Sequence, residues 1–212
     1  MESQRTGVCR KFFKVLAESF KVPGRFAGLC ENWNLKKPLI AAVNGHAVGG
    51  GFEIAIACDI ILAADHAHFF LPEMQRGFLP DAGAIQHLAR LIPVKVAIEM
   101  MLTGRRMPAS EAKNWGLVHV VVEPEVLMDK AREIGMSVAC GAPLTMQALK
   151  EVLYPMLSMP LPDAFAVTHD AMLTRQPGTG RYPLYEKILA AEVFMEGARA
   201  FADKREPKFI GK

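Results

Sequence analysis

Two carboxylates and a run of glycines are the residues best placed to do chemistry. Gly49-Gly50-Gly51 lies directly ahead of Phe52-Glu53-Ile54-Ala55-Ile56-Ala57-Cys58, which reads as a short helix. Free N–H groups at a helix start, backed by the helix dipole, favour negative charge. Glycines there let a ligand approach the backbone closely. Glu53 falls in the first turn of this helix. Glu73 follows twenty residues on, just after His68-Phe69-Phe70-Leu71 and Pro72. Strand, helix and strand between them form a small unit, so both carboxylates could reach one cleft. Two carboxyl groups beside a backbone oxyanion site suit acid–base chemistry next to a carbonyl. Each feature taken alone has an ordinary reading: a tight strand-to-helix turn, a helix-dipole partner for Glu53, a solvated turn acid for Glu73.

Other motifs point elsewhere or nowhere. The glycines do not fit the dinucleotide pattern G-x-G-x-x-G, and no G-K-[ST] follows to make a P-loop. Asp81, in Leu79-Pro80-Asp81-Ala82-Gly83, is either the N-cap of the next helix or a third acid at the cleft; the cap is favoured. His66-Ala67-His68 would send its imidazoles to opposite faces of a strand, with no ligand partner at suitable spacing, so no metal site is expected. Gly135-Met136-Ser137-Val138-Ala139 fails the last position of the serine-hydrolase elbow. Lys204, Arg205 and Lys208 form a basic cluster that is either a frayed tail or a phosphate contact.

The elements that must position these residues follow from the pattern of apolar runs and breakers. Residues 1–22 read as an amphipathic helix ended by Val22-Pro23-Gly24, and 26–35 as another short helix. Leu39–Val43, Asp59–Ala63 and His68–Leu71 read as buried strands, and Leu117–Val122 as extended. Helices are expected from Pro80-Asp81-Ala82-Gly83 to about Leu91, at Val94–Met101 closed by Thr103-Gly104, at Ser110–Trp115, and at Glu125–Ala139. Beyond Pro143 the chain reads as helical at 143–154, 162–173 and 184–203. The expected domains are a non-matching segment 1–25, a strand–turn–helix core 26–140 and a helical region 141–212. That tail has little core of its own and is expected to pack on the first part or on a neighbouring subunit.

Composition narrows the field further. The 212 residues are 51% apolar and 22% charged, which excludes a disordered chain. Lys plus Arg is 25 against 22 Asp plus Glu, too balanced for a dedicated nucleic-acid or membrane-surface binder. The most apolar stretch, Ile54 to Leu71, is broken by Asp59, Asp65, His66 and His68, so no membrane span is expected. Cys9, Cys30, Cys58 and Cys140 form no C-x-x-C and read as reduced thiols of a cytoplasmic-type protein. A mitochondrial or peroxisomal setting would suit a eukaryotic source.

Taken in order, Lys37-Pro38-Leu39-Ile40-Ala41-Ala42-Val43-Asn44-Gly45-His46-Ala47-Val48-Gly49-Gly50-Gly51-Phe52-Glu53 closely resembles the signature of the crotonase (enoyl-CoA hydratase/isomerase) superfamily. The resemblance continues through Cys58-Asp59-Ile60, Phe70-Leu71-Pro72-Glu73, Gly77, Pro80-Asp81-Ala82-Gly83 and Leu102-Thr103-Gly104 to Phe201–Phe209. Phe26-Ala27-Gly28-Leu29 and Met101–Met107 look most like its carnitinyl-CoA (crotonobetainyl-CoA) dehydratase branch. The resemblance implies an α/β fold: a ββα spiral core, incomplete at its N-terminal end, with a C-terminal helical trimerisation region. It implies a hydro-lyase acting on a 2-enoyl-CoA, assembled as a homotrimer or dimer of trimers. No cofactor is implied beyond the coenzyme A carried by the substrate. The N–H of Gly50 would hold the thioester oxygen as it becomes enolate-like. Glu73 would be the main proton donor and acceptor, and Glu53 would position water. Gly49, Gly51 and Asp81 would line the substrate site, and Lys204 or Lys208 would touch coenzyme A phosphates. An isomerase keeping one acid, or a non-catalytic assembly subunit, is the alternative.

One element of the family pattern is missing from this sequence. Family members carry an A-G-x-D-type loop in a segment ahead of the glycine motif, and its N–H is the second oxyanion donor. Here Ala27-Gly28-Leu29-Cys30 lacks the acid, and nine residues separate Gly28 from Pro38. The expectation is a hydratase-type subunit whose front is absent. Loss of one oxyanion donor costs about 3–4 kcal/mol of transition-state stabilisation.

Overall fold

The computed structural model describes residues 18, 21–174, 181–190 and 192–209. The amphipathic helix expected over residues 1–22 lies outside them except for Glu18, Lys21 and Val22, as does Cys9. The described chain divides into two units. One holds the residues before 35 together with 39–132; the other holds 35–38 and the residues from 133.

The first unit winds as repeated strand–strand–helix turns. Strand β1 (Ile40–Val43) leads through Asn44-Gly45 into β2 (His46–Val48), then helix α1 (Gly50–Ile56), β3 (Ile60–Ala64) and β4 (His68–Phe70). Helices α2 (Ala84–Leu91) and α3 (Val94–Thr103), strand β5 (Met107–Pro108), helix α4 (Ala109–Asn114) and strand β6 (Val120–Val122) follow. Each turn places one strand in each of two sheets. The first sheet runs β1-β3-β6, all parallel, and the second runs β2-β4-β5, with β5 antiparallel. This is the ββα winding expected of the fold. β3 is the centre of its sheet, so Leu62, Ala63 and Ala64 are fully buried, as a near-continuous apolar run requires. Asp59 pins the start of this pairing by accepting the Leu39 N–H at 2.7 Å. The core joins α1 to both sheets and to α2 and α3. Phe52 and Phe69 lie 5.3 Å apart between ring centroids, with Leu71, Leu88, Met100 and Met107 buried around them. Each such side chain contributes about 1.5–3 kcal/mol of burial.

Helix α5 (Leu127–Ala139) spans residues of both units. In the second unit α6 (Pro143–Met156), α7 (Leu161–Thr174), α8 (Pro183–Ala190) and α9 (Glu192–Ala202) carry the expected helical tail. The 184–203 helix is described as α8 and α9, either side of residue 191. Leu144, Ala148, Ile188 and Val193 make a small core of this unit's own. Among the described residues no helix is long and apolar enough to cross a membrane.

Two expectations change. The helix expected at 26–35 is a single 3-10 turn, Phe26–Gly28, because Arg25 and Ala27 take positive φ (57° and 54°). Strands β2 and β5 were not anticipated. At three and two residues they are too short to show period-two alternation, and register partners, not propensity, define them.

Candidate functional site

The site is assembled by the two ends of one winding. β2 delivers Gly49 at the N-cap of α1, and β4 runs alongside β2 in register, His46 opposite His68 and Val48 opposite Phe70. The Gly49 N–H donates to the Phe70 carbonyl at 2.9 Å, tying the glycine corner to the strand that leads to Glu73. Gly49 has φ +50°, and a Cβ there would run into Glu73 Oε1. Only glycine meets both conditions. The N–H groups of Gly50 and Gly51, in the first turn of α1, have no helical acceptor four residues back. The Phe26 ring lies over Gly50, where a Cβ would come within 2.5 Å of Cζ. Gly51 is exposed, and a Cβ there would meet nothing within 4 Å among the described residues, so their packing does not require glycine.

Both acids are brought to this corner and both are withdrawn from water. Glu53 is 4% exposed and Glu73 7%. Glu53 Oε1 accepts the N–H of Ala84, the first residue of α2, at 3.1 Å. Burial pushes the Glu53 carboxyl up to about 7 against the pull of the Ala84 N–H, and the charges of Glu73 and Asp81 push the same way. Burial also raises Glu73, opposed by its own backbone N–H and by Arg76. Glu73 Oε2 is buried with no hydrogen-bond partner among the described residues. A buried carboxylate oxygen left unpaired costs free energy, and such atoms concentrate where a ligand or water completes the shell.

Asp81 is not the N-cap of α2. Gly83 holds that position at φ 141°, without a side-chain cap bond, and Glu53 satisfies the helix's first N–H instead. Asp81 is exposed, and its charge reaches Glu53. Lys204 and Lys208 belong to the other unit and are exposed. Between them Arg205 is paired with Glu196 through two bonds, at 2.7 and 2.9 Å. In the Ala27–Cys30 turn the N–H groups of Gly28, Leu29 and Cys30 are taken by the carbonyls of Arg25 and Phe26, so these three are not free to serve as a second oxyanion donor. Among the described residues, no three His, Cys, Asp or Glu side chains group to hold a metal. Phe26 and the Ala84 N–H are site features that sequence reasoning did not single out from their chemistry. A backbone N–H leaves no mark in side-chain type, and nothing local sets the Phe26 ring apart from the other phenylalanines.

Comparison with known proteins places this geometry in a family. Residues 24–212 match the model of the enoyl-CoA hydratase/isomerase family, and the chain belongs to that family. Carnitinyl-CoA dehydratases of Citrobacter koseri and Escherichia coli K12 are similar: each is 44% identical over 190 residues, 90% of this chain and 69% of theirs. Among solved structures, enoyl-CoA hydratase from Mycobacterium tuberculosis H37Rv superposes with a TM-score of 0.80 at 32% identity, covering 94% of this chain and 75% of that one. An enoyl-CoA hydratase of Mycobacterium marinum gives 0.78 at 33% identity, over 91% and 73%. The crotonase-like spiral read from the sequence is therefore the fold.

Proposed function

We propose that this chain adds water to, and removes it from, the double bond of a 2-enoyl-CoA thioester, in the manner its carnitinyl-CoA dehydratase and enoyl-CoA hydratase relatives are named for. The observation that carries the reading is Glu73 Oε2, buried and without a hydrogen-bond partner among the described residues, beside the glycine corner at Gly49. The N–H of Gly50 holds the thioester oxygen as negative charge develops on it. Glu53 and Glu73 hold one water between them. As the water oxygen bonds to the β-carbon, its proton passes to the ionised carboxylate of the pair. Glu73 gives the α-carbon its proton, and in dehydration takes it back. This needs one carboxyl protonated and one ionised near neutral pH. Two buried acids, both pushed up and with the charge of one raising the other, favour that state; their titration belongs to the pair. Asp81 is the residue proposed to line the approach.

The test is hydration of crotonyl-CoA by the purified chain, read beside its mass in solution. Turnover that Glu73→Gln removes while the mass is unchanged supports the reading. Wild-type turnover in Glu73→Gln overturns the assigned role. An inert chain that joins a longer relative favours an assembly subunit, and conversion of a 3-enoyl-CoA without hydration favours an isomerase.

A further inference from the structure

Glu73 stands on a slender support. It is the N-cap of one 3-10 turn, Met74–Arg76, whose residues are all exposed. Backbone bonds there are few: Arg76 N–H to the Glu73 carbonyl at 2.8 Å, Phe78 N–H to the same oxygen at 3.3 Å, and Gly77 N–H to the Met74 carbonyl at 3.2 Å. A proton-transferring group must be held within about 0.5 Å of its working position, and an isolated 3-10 turn does not provide that.

The support comes from the C-terminal corner of α3. The Gln75 side-chain amide donates to the Thr103 carbonyl, one of the terminal carbonyls an α-helix leaves without an internal partner. Gly104 follows at φ +63°, and a Cβ there would lie 2.8 Å from Gln75 Nε2 and 3.2 Å from the Leu71 carbonyl. The corner is itself clamped. Thr103 Oγ1 donates to the Glu99 carbonyl at 2.8 Å and accepts the Arg105 N–H at 3.2 Å. Arg105 Nε donates to Glu99 at 2.6 Å, while its two terminal nitrogens grip Glu111 in parallel at 2.8 and 2.7 Å. Trp115 Nε1 donates to the same Glu111 carboxylate at 3.2 Å. Paired guanidinium–carboxylate bonds of this kind fix orientation as well as separation. Beyond the corner, Met107 pairs with Phe69, so the strap from Thr103 to Met107 runs beside the segment that ends in Glu73.

We propose that Gln75 is the positioning residue for Glu73, seated on the Thr103–Gly104 corner that Arg105 clamps. The inference rests on the reading of Glu73 as the proton-transferring acid. Gln75 touches no substrate in it; it fixes the turn from which Glu73 projects.

The experiment has two arms. In the first, Gln75→Ala lowers kcat about tenfold and leaves KM within twofold, Gln75→Lys, which keeps a donor of similar reach, restores most of kcat, and Gln75→Ala adds no further loss in the Glu73→Gln background. An equal loss in that background makes Gln75 merely structural and overturns the proposal. The second arm needs no turnover: amide hydrogen exchange at Arg76 and Phe78 quickens at least tenfold in Gln75→Ala, with the unfolding midpoint unchanged. Gly104→Ala, which crowds the same corner with Gln75 in place, quickens the same two amides, and its left-handed φ lowers the unfolding midpoint besides. Unaltered exchange at Arg76 and Phe78 in both variants overturns the proposal. Wild-type turnover in Glu73→Gln sinks the proposed function instead, and the exchange arm still decides whether Gln75 holds the turn.

Discussion

Glu53 in the first unit and Glu151 in the second are both buried glutamates that accept N–H groups at the start of a helix. Glu151, 9% exposed, takes the N–H groups of Leu184 and Tyr185 at 2.8 and 3.0 Å, holding the start of α8 against α6. Glu53, 4% exposed, takes the N–H of Ala84 at 3.1 Å but works beside a second buried acid. The nearby Glu73 leaves Oε2 without a hydrogen-bond partner among the described residues. The second unit uses its acid as a pin. The first crowds two acids where their charges repel, an arrangement that lowers stability and keeps protons available. The largest test of that difference is Glu73→Gln. General acid–base catalysis contributes about 10²–10⁴-fold, so turnover of crotonyl-CoA should fall by that order while the unfolding midpoint holds or rises. A midpoint that drops with turnover intact would make Glu73 a pin like Glu151.

The next largest effect is the pH dependence of stability. The Glu53 carboxyl rises from 4.5 to about 7 on folding. A raised carboxyl favours the protonated folded state, so its contribution is full below pH 4.5 and is lost as pH climbs through about 7. The loss is at most about 3–4 kcal/mol, since one unit is worth about 1.4 kcal/mol. Glu53→Gln keeps an acceptor for Ala84 and removes the titration. Denaturant unfolding from pH 4 to 8 should show a declining wild type and a flatter variant, the curves diverging toward high pH. Parallel curves would mean that Glu53 is not held in its protonated form.

Glu151 is expected to behave in the opposite sense. Glu151→Ala strands the N–H groups of Leu184 and Tyr185 inside α8's first turn. Removing such a cap and bond acceptor costs about 1–3 kcal/mol. Urea unfolding should show that loss, with the first unit's hydrogen-exchange protection unchanged. Loss of protection in β3 and α1 as well would show the two units to be one cooperative body.

What the sequence made legible follows the same division. The strands at 40–43, 60–64 and 68–70 and the helices from 84 onward were readable because each carries a long apolar period or a clear breaker. Glycine at 104 and proline at 93 marked the ends of α3. Glu53 was visible as chemistry because an acid in an apolar run is anomalous, Gly49 because a glycine run opens a helix there, and Glu73 because it follows a strand close to both. Their partners were not. The Ala84 N–H, the Phe26 ring over Gly50 and the Gln75–Thr103 bond depend on tertiary approach across 31, 24 and 28 residues respectively. No local pattern encodes them. The assignment of Asp81 as a cap failed for that reason: propensity favoured the local acid, and a distant one occupies the N–H.

The smallest expected effect concerns the pair at the end of the chain, an exposed counterpart to the buried acids. Glu196 holds Arg205 through two bonds and accepts the Lys208 N–H at 2.7 Å. The Arg205 contact, with that N–H, draws the Glu196 carboxyl down to about 2. A lowered carboxyl stabilises the folded state above its unfolded value of 4.5, and that contribution fades as pH falls toward 2. Glu196→Gln should therefore shift the thermal midpoint only slightly at neutral pH, because water and salt screen exposed pairs. The shift should shrink further in high salt. The Glu53 titration, withdrawn from solvent, should keep its size in the same salt series. A Glu196 effect as resistant to salt as that of Glu53 would show the tail to be covered in solution, as a subunit contact at Phe201 and Lys208 would require.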